Sequence, residues 1–182
     1  VAGSSQISIF YKMPGIKIYS PMTTQEYQRV YNSFMKKNDV FYVSEHRESY
    51  GKTKELKNIV KNNLDIILMP ISVTRFSAIK AVSLLNKLGL KIGIIHLVDL
   101  KPFKLKKKWI EAIKSSKYGA LMTDNDYNDG ILRILAHKVN EKTHKKIYVM
   151  GLDDKSAGHH LKFDNLPPSA QKIKRKILEI IK

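Results

Sequence analysis

Short apolar runs alternate with amphipathic stretches along almost the whole chain, and this alternation constrains the fold more than any other feature. It is the pattern of β/α units, in which strands buried in a mainly parallel sheet are joined by helices that cover its faces. The unit recurs about four times. Ile66-Ile67-Leu68-Met69 reads as a buried strand, and Phe76, Ile79, Val82 or Ser83, Leu84, Leu85 and Leu88 trace a helix face closed by Gly89. Ile92 to Val98 is the next strand, expected at the centre of the sheet because every residue but His96 is apolar or glycine. A helix from Lys106 to Lys117, a strand from Ala120 to Thr123, a helix from Ile131 to about Val139 and a strand from Ile147 to Met150 follow. Pro167-Pro168-Ser169 opens a last helix whose Ile173, Ile177, Ile180 and Ile181 can return to the sheet.

The front of the chain carries less. Ile16–Tyr19 reads as a strand, Ser20-Pro21 as a turn, and Thr23-Thr24-Gln25-Glu26 as a capping box starting a helix that runs to about Lys36. Phe41-Tyr42-Val43 is a further strand, and Glu45 to Asn63 reads as loop and linker. The fold class is α/β: residues 64–182 form a mostly parallel three-layer domain, residues 51–63 a linker, and residues 1–50 part of a second α/β domain. About 50 residues is near the limit for independent folding without disulfides or metal, so this front section begins in mid-domain or is completed by a partner. Its apolar patch, Ile7, Ile9, Phe10 and Tyr11, is the expected contact surface for that partner.

Composition narrows the chemistry. Without cysteine the chain has no disulfide framework, Cys-based zinc site or thiol nucleophile. No apolar run approaches the roughly 20 residues of a bilayer crossing, and Val1-Ala2-Gly3-Ser4-Ser5 lacks the order of a secretory signal, so a cytoplasmic or organelle-matrix protein is expected. Thirty-three Lys and Arg against 16 Asp and Glu leave a net charge of +17. Between Lys101 and Lys117, however, Leu105, Trp109, Ile110 and Ile113 recur at helical spacing, so the lysines read as a solvated helix face. With no nucleic-acid-binding motif beside them, nucleic acid is not the expected partner.

Candidate chemical motifs are few. Asp124-Asn125-Asp126-Tyr127-Asn128-Asp129-Gly130 fails the register of a calcium loop, since Asp129 stands where glycine is needed and Leu135 where a carboxylate is needed. It reads as a loop at a helix N-terminus, or as the lining of a cleft at a strand's carboxyl end. His159-His160 with Asp153 and Asp154, and His46 beside Glu45, lack the spacing of a metal site or an acid–base unit. No catalytic residue and no metal ligand is assigned.

The order of segments carries a resemblance. Pro14-Gly15-Ile16-Lys17-Ile18-Tyr19-Ser20-Pro21, a helix, then Asn38 to His46 with Tyr50 and Gly51, resembles the second half of the pyrimidine-binding domain in beta subunits of thiamine-diphosphate-dependent 2-oxoacid dehydrogenases. Ile92 to Phe103, Met150-Gly151-Leu152-Asp153 and Asn165-Leu166-Pro167-Pro168 resemble the C-terminal domain of the transketolase superfamily. The resemblance implies one component of an enzyme acting on a small 2-oxoacid or sugar. It implies thiamine diphosphate and magnesium, held mainly by regions outside this stretch, and a partner that is a second copy or a cofactor-binding alpha-type subunit. Ser4, Ser5 and Gln6 would adjoin the cofactor, with Ser4 at the family's active-site histidine. Serine cannot supply an imidazole's proton transfer near neutral pH, so the chain is expected not to be catalytic alone. The alternative is a noncatalytic assembly module of the same fold.

Overall fold

The computed structural model describes residues 5–155 and 165–182; Ser4, His159 and His160 lie outside them. In chain order the elements are α1 (Ile7–Tyr11), β1 (Ile16–Tyr19), α2 (Thr24–Met35), β2 (Val40–Val43), β3 (Ile66–Pro70), α3 (Thr74–Asn86) and β4 (Ile92–Ile94). They continue with β5 (Asp99–Lys101), α4 (Lys107–Ser115), β6 (Ala120–Tyr127), α5 (Ile131–Thr143), β7 (Ile147–Leu152) and α6 (Ala170–Ile181). β4, β3, β6 and β7 form a four-stranded sheet in that order, and every pairing is parallel. One face packs Ile66, Leu68, Ile94 and Leu121 against Ala78, Val82 and Leu85 of α3 and Ile173 and Ile177 of α6. The opposite face packs Ile67, Met69 and Met122 against Trp109 and Ile113 of α4 and Leu132 and Leu135 of α5. This is the three-layer α/β arrangement that the alternation dictates, because a parallel sheet must be covered on both faces.

Ile92 to Val98 is not central. β4 ends at Ile94 and stands at the edge of the sheet, while β3 and β6 occupy the middle. The run is nonetheless buried because the linker covers it: Ile59 exchanges two backbone hydrogen bonds with Ile94 (2.8 and 3.0 Å), and Asn58 Oδ1 accepts the N–H of His96 at 2.7 Å. An edge strand covered by a segment without regular structure looks, in sequence, like a central one.

The front section shares its core with this domain. β1 pairs parallel with β2 and antiparallel with β5, so the second sheet, ordered β2-β1-β5, draws two strands from the front section and one from the parallel domain. Ile7, Tyr11 and Ile18 belong to the same buried cluster as Ile67, Met69 and Leu135. The expected apolar contact patch is therefore mostly internal: Ile7 and Tyr11 are buried, Phe10 stacks on Tyr42 at 4.2 Å, and only Ile9 is open, at 60% exposure. These residues form a short helix, α1, rather than a sticky segment awaiting a second chain.

α2 starts at the expected place without the expected capping box. The Thr23 hydroxyl donates to Glu55 Oε2 (2.7 Å), and Glu55 Oε1 accepts the N–H of Gln25 (3.3 Å). Glu26 accepts from Met22 N and turns its carboxylate to Arg75 instead of Thr23 N. α4 follows the sequence reading, burying Trp109, Ala112 and Ile113 while Lys107, Lys108 and Lys114 lie in solvent. Among the described residues, no helix is long and apolar enough to cross a membrane.

Candidate functional site

The chain leaves β3 toward β4 on one side and later returns past β3 to β6 on the other. Strand order therefore reverses between β3 and β6, and in open α/β sheets the carboxyl ends at such a reversal are where ligands are bound. Here those ends carry Ile71 to Arg75 and Thr123 to Asp126, most of them buried. The Thr74 hydroxyl donates to Ile71 O at 2.6 Å and accepts from the Thr123 hydroxyl at 2.9 Å, so the two ends are joined by side chains as well as by the ladder.

β6 continues through Tyr127, so Asp124, Asn125 and Asp126 lie in an extended, buried strand and not in a loop at a helix N-terminus. Of the two sequence readings, the lining of a strand's carboxyl end is the one the geometry supports. Asp124 is fully enclosed, and desolvation, with a smaller contribution from the Asp126 charge, pushes its carboxyl up to about 8. Its Oδ1 accepts the N–H of Asn125 at 2.8 Å, while its Oδ2 has no partner among the described residues. At neutral pH this is a neutral carboxylic acid, a donor rather than a base.

Asp126 accepts from the Ser8 hydroxyl, and Ser8 Oγ in turn accepts the N–H of Ile131 at 2.7 Å. One serine of α1 thus caps α5 and holds a buried carboxylate. Gly130 lies directly beneath, and a Cβ there would collide with Ser8 Oγ. Ser8→Ala should lower unfolding free energy by about 1–2 kcal/mol, the size of a lost helix cap, with Ser8→Thr retaining part of it. Urea titration of the two variants measures the difference.

A second buried polar group joins the front section to α3. Arg75 has no exposed surface, and its guanidinium grips Glu26 of α2 at 2.7 and 2.5 Å. His96, beyond β4, is pushed down to about 3, first by burial and then by the positive charge of Arg75. Its imidazole is neutral at physiological pH and neither ring nitrogen has a partner among the described residues. Ser20 Oγ, Arg75 Nε, Asn125 Oδ1 and Ser5 Oγ are likewise buried without one.

Of the residues expected beside a cofactor, Ser4 lies outside the described residues. Ser5 donates its backbone N–H to Asn125 O at 3.2 Å, which brings it to the carboxyl end of β6. Gln6 is exposed and offers α1 no side-chain cap. Glu26, Arg75 and His96 escaped the sequence reading. Arg75 carries a legible signal: with Ala78, Val82 and Leu85 it falls on one helical face, and a cation on an apolar face implies a buried partner.

These groups do not make a thiamine diphosphate site. The diphosphate's magnesium needs several converging oxygen ligands, and no group of three His, Asp or Glu side chains converges among the described residues.

No family model and no curated protein matches the chain. Among solved structures it is similar to a split-gene transketolase described as an inactive beta4 tetramer, with a TM-score of 0.75 and 12% identity over 96% of this chain and 60% of that one. It is also similar to a Pichia stipitis transketolase mutant in complex with fructose 6-phosphate (TM-score 0.67, 13% identity, 96% of this chain and 26% of that one). Transketolase from Campylobacter jejuni gives a TM-score of 0.62 and 13% identity over 96% and 28%. The chain spans 60% of the first of these and little more than a quarter of the other two. Its fold is the transketolase type.

Proposed function

We propose that this chain is one component of a transketolase-type, thiamine-diphosphate-dependent enzyme and performs no chemistry by itself. The observation that supports this most is the extent of the likeness: 96% of the chain, front section and parallel domain together, follows the split-gene transketolase chain. A generic α/β domain would match over residues 64–182 alone. The neighbours named above favour a sugar as substrate over a small 2-oxoacid, since each is a transketolase. On this reading thiamine diphosphate and magnesium are held by a second copy or by a cofactor-binding chain, and Ser5 and Gln6 are the described residues nearest to them. The division into residues 1–50, a linker and residues 64–182 fits the same scheme.

A second reading, a noncatalytic assembly module, draws on Asp124 and His96, the titratable groups beyond β6's apolar run and beyond β4, being both buried and neutral. The two readings separate in one experiment. The purified chain is assayed with thiamine diphosphate and magnesium on fructose 6-phosphate with an aldose phosphate acceptor, and on pyruvate with an electron acceptor, alone and with candidate cofactor-binding chains from the same cell. Turnover that needs both chains supports the enzyme component; a stable complex without turnover supports the module. Turnover by this chain alone overturns both.

A further inference from the structure

α3 is apolar on more than one face. Its Ala78, Ala81, Val82 and Leu85 are buried against the sheet and α6, but the stripe that the sequence presents most openly, Phe76 and Ile79, lies elsewhere: Phe76 is half-buried and Ile79 is 40% exposed. An apolar pair outside a helix's core-facing stripe normally has a neighbour of its own. On this side α3 faces a groove of about 1070 Å³. The floor of the groove holds Phe76, Ile79, Val82 and Ile94, and its far wall is the linker, with Leu56 and the 39%-exposed Ile59.

The rim is cationic on both sides. Lys52, Lys54 and Lys57 stand along the linker wall, and Lys80 stands on α3. Lys52 leans over the Phe76 ring at 5.7 Å, and among the described residues none of the four makes an ion pair. Of the two acids at the groove, Glu55 is committed to the start of α2, which leaves Glu48. Three lysines over six residues of linker can spread their charge along as much as roughly 20 Å. A compact amphiphile with one anionic head would meet only one of them. An apolar stripe flanked by acids along its length would meet all of them, and a helix supplies that pattern with side chains at i, i+3, i+4 and i+7.

We propose that this groove is a docking site for an acidic amphipathic helical segment of a partner protein. Its apolar residues fill the space over Phe76, Ile79 and Ile59, and its carboxylates pair with Lys54, Lys57 and Lys80. The site is separate from the buried polar groups at the carboxyl ends of β3 and β6, and it stands whether or not the enzyme reading does.

The test uses the full chain and a fluorescein-labelled peptide of 18 residues with leucine at helical spacing and glutamate elsewhere, followed by anisotropy. A scrambled peptide of identical composition should bind at least tenfold more weakly, about 1.4 kcal/mol. Ile79→Glu and the double reversal Lys54→Glu with Lys80→Glu should each weaken the helical peptide by a similar factor, with circular dichroism confirming that both variants fold. Reversal of the exposed Lys107 and Lys108 on α4 should leave binding unchanged. Equal binding of the two peptides, or equal losses from the α4 reversal, reduces the effect to net charge and overturns the proposal. Tight binding of dodecyl phosphate with no binding of the helical peptide overturns it in favour of a small amphiphile.

Discussion

Asp124→Asn should stabilise the protein, by an amount that grows with pH. In the unfolded chain the carboxyl titrates near its ordinary 3.8, whereas in the folded state burial holds it at about 8. Between these values the folded state keeps a proton that the unfolded state has released, so stability falls as pH rises. Below the lower value both states are protonated and the residue costs nothing extra. Above the upper value both are ionised and the loss is complete. Over the roughly three units from the unfolded value to pH 7 the loss amounts to about 4 kcal/mol. Asparagine keeps the acceptor for Asn125 N and removes the titration. Wild type and variant should therefore have similar unfolding free energies at pH 4 and diverge steadily toward pH 8. Chemical denaturation at several pH values measures this, and parallel profiles would show that Asp124 titrates alike in the folded and unfolded chain.

Glu26→Gln should have the opposite sign and similar size. Arg75 is fully buried, and Glu26 is its only anionic partner among the described residues. Removing one charge leaves the guanidinium enclosed and uncompensated, which costs about 3–5 kcal/mol. Replacing both residues together, Glu26→Met with Arg75→Met, should recover much of that loss, because an apolar pair of similar volume avoids the desolvation altogether. The pair joins α2 to α3, so the single variant should also loosen the front section, and amide exchange in β1 and α2 should quicken before that in β3 and β6. A Glu26→Gln variant as stable as wild type would mean that the bidentate grip contributes little.

The two substitutions differ in what the sequence reveals about them. Arg75 stands on a helical face with Ala78, Val82 and Leu85, and a charge in that company is visible by counting. Its partner is not, since Glu26 lies 49 positions earlier and looks like the third helical residue of a capping box. Asp124 to Asp126 look polar and therefore solvated, because hydrophobic periodicity has no means of announcing a buried acid. β6 runs four residues past Thr123, and only the ladder to β7, which resumes at Tyr127 and Leu152, shows that it does.

The alternation of apolar runs and amphipathic stretches was enough to determine the α/β class, the three layers, the parallel sheet and nearly every helix start, because local periodicity reports which face of each element leaves water. The tertiary structure alone decided the rest. It put β4 at the edge under the linker, turned the Phe76 and Ile79 stripe of α3 away from the sheet, and folded Ile7 and Tyr11 into a core shared with the parallel domain. It also brought Glu26 to Arg75 and Ser8 to Asp126 across 49 and 118 residues. The physical reason is the same in each case. Burial and pairing of polar groups depend on which distant segments arrive together, and periodicity within one segment carries no record of that.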